Sequence, residues 1–466
     1  MTIPFGARRS GPAILAVAAP ATVGLLLLLF VESTRFSGPF RRAITGDPVT
    51  YHEALGLLAL LLPVVLVWVA RRSSTGSARG ATIRLLLLGA GPRLRVTYAG
   101  LLAAYALTVL ASSAGSHAPE AGTAWYALRV LMVPAEVLTF GFLAPALLRR
   151  ADAELIVRLI VWLLAAFAAL SLAWMLTGRD TFAGLLLSVP PDDRGGRWAS
   201  SEFFVHRNTI GGFLALAIPA GAWLAWTRAR RGERRGASIM AGLVGLLLLW
   251  LVLCFSRSSE LSLAVTVGVA ALLLAWTARP GSARLATGQR WLRRVTVAGL
   301  VVAVIAAVVV VVLLPAIRPG LTEAVVEALH GRWMIWQDVW DKTADHRWLG
   351  AGFLGVEAVG PGGYYYGEVY DPHNAWLAQL VYFGVPGLAA MGMLVITMLA
   401  DGFRRYRREV RIAPQQALVV AGIAGILVQN VFEYFLTDPV LFSNAFALLL
   451  LGWWRTGLWE DEPAAA

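Results

Sequence analysis

Cysteine is all but missing from this chain: 466 residues contain one, Cys254, inside an apolar run. An intramolecular disulfide and a CxxC metal site are both excluded. Charge is scarce too, at 15% of residues against 58% hydrophobic, which excludes an ordinary soluble domain. There is no HExxH, no Walker A loop, no GxSxG elbow and no DxD-type acidic pair. Zincin, P-loop, serine-hydrolase and metal–nucleotide chemistries therefore lack their residues. The acids expected outside the membrane (Glu202, Glu323, Glu327, Glu357 and Glu368) are scattered, so no carboxylate cluster is available to a hard cation. Neither a metal nor another cofactor is expected. Internal repeats and Pro- or Ser-rich linkers are also absent, so residues 1–466 read as one integral membrane domain.

What the chain does have is apolar runs of roughly 20 residues, the length that crosses a bilayer as a helix. The runs are Pro12–Val31, Tyr51–Ala70, Leu94–Ala114, Ala124–Leu148, Leu155–Leu176, Thr209–Thr227, Ala237–Phe255, Leu261–Ala278, Val295–Pro315, Ala375–Ala400, Ala417–Val431 and Val440–Trp454. The expected fold is an all-α polytopic membrane protein of about 12 spans. Arg8 and Arg9 precede the first run, which is too long for a signal-peptide core and predicts an uncleaved first span. Leu85–Leu88 is too short to span and is expected to lie along the interface.

The net charge of +12 fits two readings, nucleic-acid binding or basic cytoplasmic loops. The second accounts for its placement. RARRGERR, RPGSARLATGQRWLRR and FRRYRREVR all fall on one side when the spans alternate from an internal N-terminus. Both termini are then cytoplasmic, and no nucleic-acid partner is expected.

The same alternation puts residues 316–374 outside, as a long loop between the ninth and tenth spans. Long ordered loops are usually functional. Val325, Val326, Leu329, Trp333, Trp336 and Trp340 recur at helical spacing, which predicts an amphipathic helix over Leu321–Trp348. Its tryptophans suit the headgroup layer. GPGGYYYGEVYDP is loop, and DPHNAWL leads into the next span.

Three arginines are expected at the outer face: Arg207 in FVHRNTIGG, Arg257 in CFSRSSE and Arg332 in GRWMIWQDVW. A guanidinium binds phosphate through a planar fork and stays charged, so a cavity ringed by them suits a pyrophosphate. Arg257 has a plainer reading, snorkelling to headgroups or pairing with Glu260. His373, flanked by Asp371 and Asn374, is either a base that takes a proton from a hydroxyl or a cap for the helix that follows. His206 precedes another span in a parallel way, HRN against HNA. The remaining histidines (His52, His117, His330 and His346) read as interfacial or solvated.

HRN, SRSS, GRWMIW, GAGFLG, and PHNAWL running into VYFGVPGL, in this order from Phe204 to the C-terminus, resemble the O-antigen ligase and Wzy polymerase superfamily. The resemblance implies a GT-C-like, inverting, metal-independent glycosyltransferase in the bacterial inner membrane. Its donor would be a glycan on undecaprenyl pyrophosphate, and its acceptor lipid A-core or a growing polysaccharide at the periplasmic face. It implies His373 as the activator of the acceptor hydroxyl, and Arg257 and Arg332 as holders of the pyrophosphate. His206, Arg207 and Asn208 match a secondary motif. SRSSE departs from the family pattern, where glycine commonly follows SR-S/T. Ligase is the first reading and polymerase the alternative. A polysaccharide-lipid transporter or flippase stands further off, because its charges would gather near the membrane midplane.

Overall fold

The computed structural model describes residues 20–29, 58, 61–62, 64–65, 92–114, 123–148, 150–177, 207–254, 256–277, 321–352, 373–409, 414–432 and 442–456. All the regular structure among them is helical. In chain order the helices are α1 Pro20–Leu29, α2 Pro92–Ala114, α3 Thr123–Leu138, α4 Arg150–Thr177, α5 Arg207–Arg230 and α6 Arg234–Cys254. They continue with α7 Arg257–Thr277, α8 Leu321–Lys342, α9 Ala375–Glu409, α10 Pro414–Phe432 and α11 Phe442–Thr456. A π-helical turn, Thr139–Leu143, and a short end, Ala144–Leu147, prolong α3.

Among the described residues, six helices are long and apolar enough to cross a membrane: stretches of α2, α3 with its extension, α4, α5, α6 and α9. The chain is a multi-pass membrane protein. Most of the expected second span, the whole ninth, Leu85–Leu88 and GPGGYYYGEVYDP lie outside the described residues. Where both ends of a run fall among the described residues, it locates its helix to within a few residues. α9 is the exception, running to Glu409 rather than Ala400. Its 35 residues measure about 52 Å at 1.5 Å each, against a hydrocarbon core of about 30 Å. Its basic end therefore continues past the apolar layer.

Large apolar side chains such as Val96, Leu107, Leu272 and Ile396 face outward, while Glu136, Gln429, Asn430 and Asn444 are buried. That distribution suits lipid outside and hydrogen-bonded groups inside. Small residues let the helices approach closely. A Cβ on Gly425 of α10 would stand 2.1 Å from Thr266 Oγ1 and 2.7 Å from the Ser262 carbonyl of α7. α2 meets α9 through Gln379 Nε2, which donates to Tyr105 Oη at 3.1 Å. Asn444 Nδ2 of α11 donates to Glu136 Oε2 of α3 at 2.9 Å. Arg455, also buried, stacks over Phe142 and Tyr98, 4.7 and 5.4 Å from their ring centres.

α9 is broken inside its apolar stretch. Gly384 has φ 69° and ψ −174°, and Pro386 has no N–H to give the carbonyl four residues back. The freed groups find partners in the loop after α8. Ala351 N donates to the Val381 carbonyl at 2.8 Å and Gly352 N to the Tyr382 carbonyl at 2.9 Å, while Val385 N donates to the Arg347 carbonyl at 2.8 Å. WLGAG thus straps across VYFGVPG, and each supplies the backbone bonds the other lacks.

The strap shortens the expected loop helix. α8 ends at Lys342, a 3-10 turn covers Ala344–His346, and Trp348–Gly352 forms the strap, with Gly350 and Gly352 at φ 79° and 83°. Thr343 Oγ1 bonds back to the Val339 carbonyl at 2.7 Å. Arg347 Nη2 reaches the Trp340 carbonyl at 2.8 Å, with its guanidinium 4.0 Å from the Trp340 ring centre. Both contacts close the last turn, where carbonyls lack helical partners. Val339 is buried and Ile335 packs on the core, while Trp333 and Trp340 are exposed. The side chains of residues 321–330 lie outside the described set.

Candidate active site

The sequence motifs meet at one end of the bundle. α5 opens with the last two residues of HRN, and one turn on is Gly211. A Cβ there would fall 2.2 Å from Ser259 Oγ and 2.7 Å from Ser256 Oγ, so only glycine lets SRSS sit against this helix. Ser256 Oγ and Ser259 Oγ are 2.7 Å apart, and Gln429 Nε2 of α10 donates to Ser259 Oγ at 2.9 Å. The three side chains are buried. They fasten the start of α7 to the last turn of α10.

α10 ends at Phe432, and α8 comes down on that end. Arg332 Nη1 donates to the Phe432 carbonyl. Trp336, one turn along the same face, lies 6.3 Å from the Phe432 ring centre. The same Nη1 donates to the His373 carbonyl at 3.3 Å. Helix-end carbonyls are short of donors, and the dipole there favours a cation, so an arginine is well suited to this joint.

His373 has φ 46°, the left-handed region that a non-glycine residue enters rarely and at some cost. Asn374 follows as the N-cap of α9: its Oδ1 accepts from Trp376 N and from Leu377 N, both at 3.0 Å. The cap suggested for His373 is thus supplied by its neighbour, and the His373 ring is not used for it. Asn374→Ala is expected to cost about 1 kcal/mol, the usual worth of a cap, and Asn374→Asp to keep most of it. Thermal melts of the purified variants check this. Equal melting of the alanine variant and the unmodified protein rejects the cap.

The other nominated residues are placed by backbone. Arg207 and Asn208 head α5, and Arg257 heads α7; their side chains, and all of His206, lie outside the described residues. Glu260 is in the first turn of α7, where its N–H donates to the Ser256 carbonyl at 2.9 Å. Its pairing with Arg257 also lies outside the described residues. Among the described residues, no three His, Cys, Asp or Glu side chains cluster as metal ligands. Sequence reasoning passed over Gln429, whose one signal is an amide inside the apolar run LVQNVF. Nothing in the sequence marked the Phe432 carbonyl.

Helices that bury polar groups and turn apolar ones outward, with Arg332, the His373 and Phe432 carbonyls and the Ser/Gln cluster gathered at one end, are those of a multi-pass membrane protein with a polar assembly at one end of its bundle. Residues 242–392 match the family model described as O-antigen ligase (Wzy_C). With that match the resemblance of this stretch to the O-antigen ligase and Wzy superfamily stands. The matched stretch runs from α6 into α9 and takes in SRSS, GRWMIW, the strap and PHN. A search of curated proteins finds no match.

Proposed function

We propose that the protein transfers a glycan from undecaprenyl pyrophosphate to an acceptor hydroxyl, with inversion, without a metal, at the periplasmic face of the inner membrane. The observation that carries this reading is the meeting of SRSS, GRW and PHN at one end of the bundle, around Phe432. In the proposed step His373 takes the acceptor O–H proton as the oxygen attacks the anomeric carbon. The bond from that carbon to the pyrophosphate breaks on the opposite face, and undecaprenyl pyrophosphate leaves. Arg257 and Arg207, heading adjacent helices, are assigned to the departing anion, which guanidinium forks suit. Lipid A-core is the proposed acceptor, which makes the enzyme a ligase.

The orientation is part of the proposal. It is supported by Arg231 and Glu154, which the alternation of spans puts on one side and which form a two-pronged ion pair at 2.7 and 2.8 Å. In intact spheroplasts, an impermeant thiol reagent is expected to label Tyr365→Cys and not Arg405→Cys, each in a Cys254→Ser background. The reverse pattern overturns the orientation.

Function is tested by deleting the gene and examining lipopolysaccharide and lipid-linked glycan together. Full-length polymer stranded on undecaprenyl pyrophosphate is the expected result. Accumulation of single repeats indicates a polymerase instead, and unchanged glycans with normal lipopolysaccharide overturn both.

A further inference from the structure

We propose that Arg332 is a positioning residue for His373, not a ligand of the donor's pyrophosphate. The inference rests on the glycosyl-transfer reading for His373's role, but the clamp itself is a property of the fold. One nitrogen of Arg332 donates to two backbone carbonyls, that of His373 at 3.3 Å and that of Phe432 at the end of α10. These carbonyls belong to segments far apart in sequence, and Arg332 joins both to α8. Carbonyls orient Nη1 by hydrogen bonding whether or not an anion is near.

The geometry explains why this joint is needed. His373 sits in the left-handed region, directly before the Asn374 cap. A strained turn of this kind persists only when its surroundings hold it. Asn374 fixes the turn from the α9 side, and Arg332 fixes the carbonyl from the α8 side. Trp336, one helical turn from Arg332, packs against the Phe432 ring, so α8 meets the end of α10 through both side chains. Losing the guanidinium removes this bond to the His373 carbonyl and with it a restraint on the direction of the imidazole. A displacement of about 1 Å at a reacting group can cost on the order of 10²-fold in rate.

The two roles ask different things of the side chain. A pyrophosphate ligand needs the charge, whereas a clamp on two carbonyls needs N–H groups at the right place. Arg332→Gln keeps amide donors without charge, Arg332→Lys keeps charge without the fork, and Arg332→Met keeps neither. The experiment uses the purified full chain, a fluorescent undecaprenyl-pyrophosphate oligosaccharide and a lipid A-core acceptor. Arg332→Met is expected to lower kcat by on the order of 10²-fold while donor KM and equilibrium donor binding stay as in the unmodified protein. Arg332→Gln is expected to recover part of that kcat. Loss of donor affinity in both Gln and Met variants, restored by Lys, overturns the proposal in favour of an anion contact.

A second readout does not depend on turnover. The rate at which diethyl pyrocarbonate modifies His373, followed by peptide mass spectrometry, is expected to change in Arg332→Met and to move back toward the original rate in Arg332→Gln. An unchanged rate in the Met variant overturns the clamp. Where Arg332→Met does not fold, the Gln and Lys variants decide between the roles on the same two readouts. If the unmodified protein transfers glycan to no hydroxyl acceptor, the functional reading fails, and His373 modification still decides the clamp.

Discussion

Replacing His373 with alanine is expected to lower turnover by roughly 10²–10⁴-fold, the usual worth of a positioned proton transfer, while donor lipid still binds. The leaving group explains the division. A lipid pyrophosphate departs readily once its charge is held, so the remaining demand falls on the acceptor hydroxyl, which is a poor nucleophile until its proton is taken. The imidazole serves the acceptor and not the donor. His373 is half-buried just before α9, and Asn374 supplies the cap of that helix. Asn374 caps the helix that follows His373 and Arg332 holds the His373 carbonyl, neither through the imidazole, so the alanine variant is expected to fold. The measurement pairs steady-state transfer, run with EDTA present, with equilibrium binding of donor to the same preparation. Full activity in His373→Ala removes the base from the mechanism. Equal loss of binding and turnover makes the histidine a donor ligand.

Much of this arrangement was legible in the sequence because the membrane enforces a simple rule. A run of roughly 20 apolar residues must be a helix when lipid offers its backbone no partner. Charges then mark the ends. α5 closes on Arg228 and Arg230, as its loop composition suggested. The motif order also singled out three segments that meet around one helix end. What stayed hidden is what side chains and backbone do across the bundle. A tryptophan on an interfacial helix is compatible with inside or outside, so periodicity found α8 while Trp333 and Trp340 turned outward. Arginine reads as an anion ligand in a sequence, because carbonyls short of donors leave no mark there; the bonds from Arg332 to the His373 and Phe432 carbonyls are visible only in the fold. GVPG was visible within a span, yet the break it makes depends on a strap arriving from residues 347–352.

That strap underlies the largest structural effect expected. Gly384→Ala should fail to give stable protein, or give protein whose melting point falls steeply. Gly384 occupies a conformation that is essentially reserved for glycine, and forcing another residue into it costs about 1–3 kcal/mol. The space is also taken: a Cβ would stand 2.2 Å from the Trp348 carbonyl oxygen and 2.8 Å from Gly350 N. Relieving that overlap costs a further 1–3 kcal/mol or so, as overpacking does elsewhere. Backing the strap away breaks the bonds to the Val381 and Tyr382 carbonyls and the bond from Val385 N. The backbone groups on both sides are then left without their partners. Gly392, further along the same helix, is the control, since a Cβ there meets nothing within 4 Å. Alanine at that position should be tolerated or gain up to about 1 kcal/mol from helix propensity. The two variants are compared by detergent-solubilised yield, melting temperature and transfer activity. A Gly384→Ala protein that melts with the Gly392→Ala protein would show that the strap bears no load. If the strap does bear load, a partly folded Gly384→Ala protein should lose transfer before it loses its helices, because α8 reaches α9 through these bonds and carries Arg332 to His373.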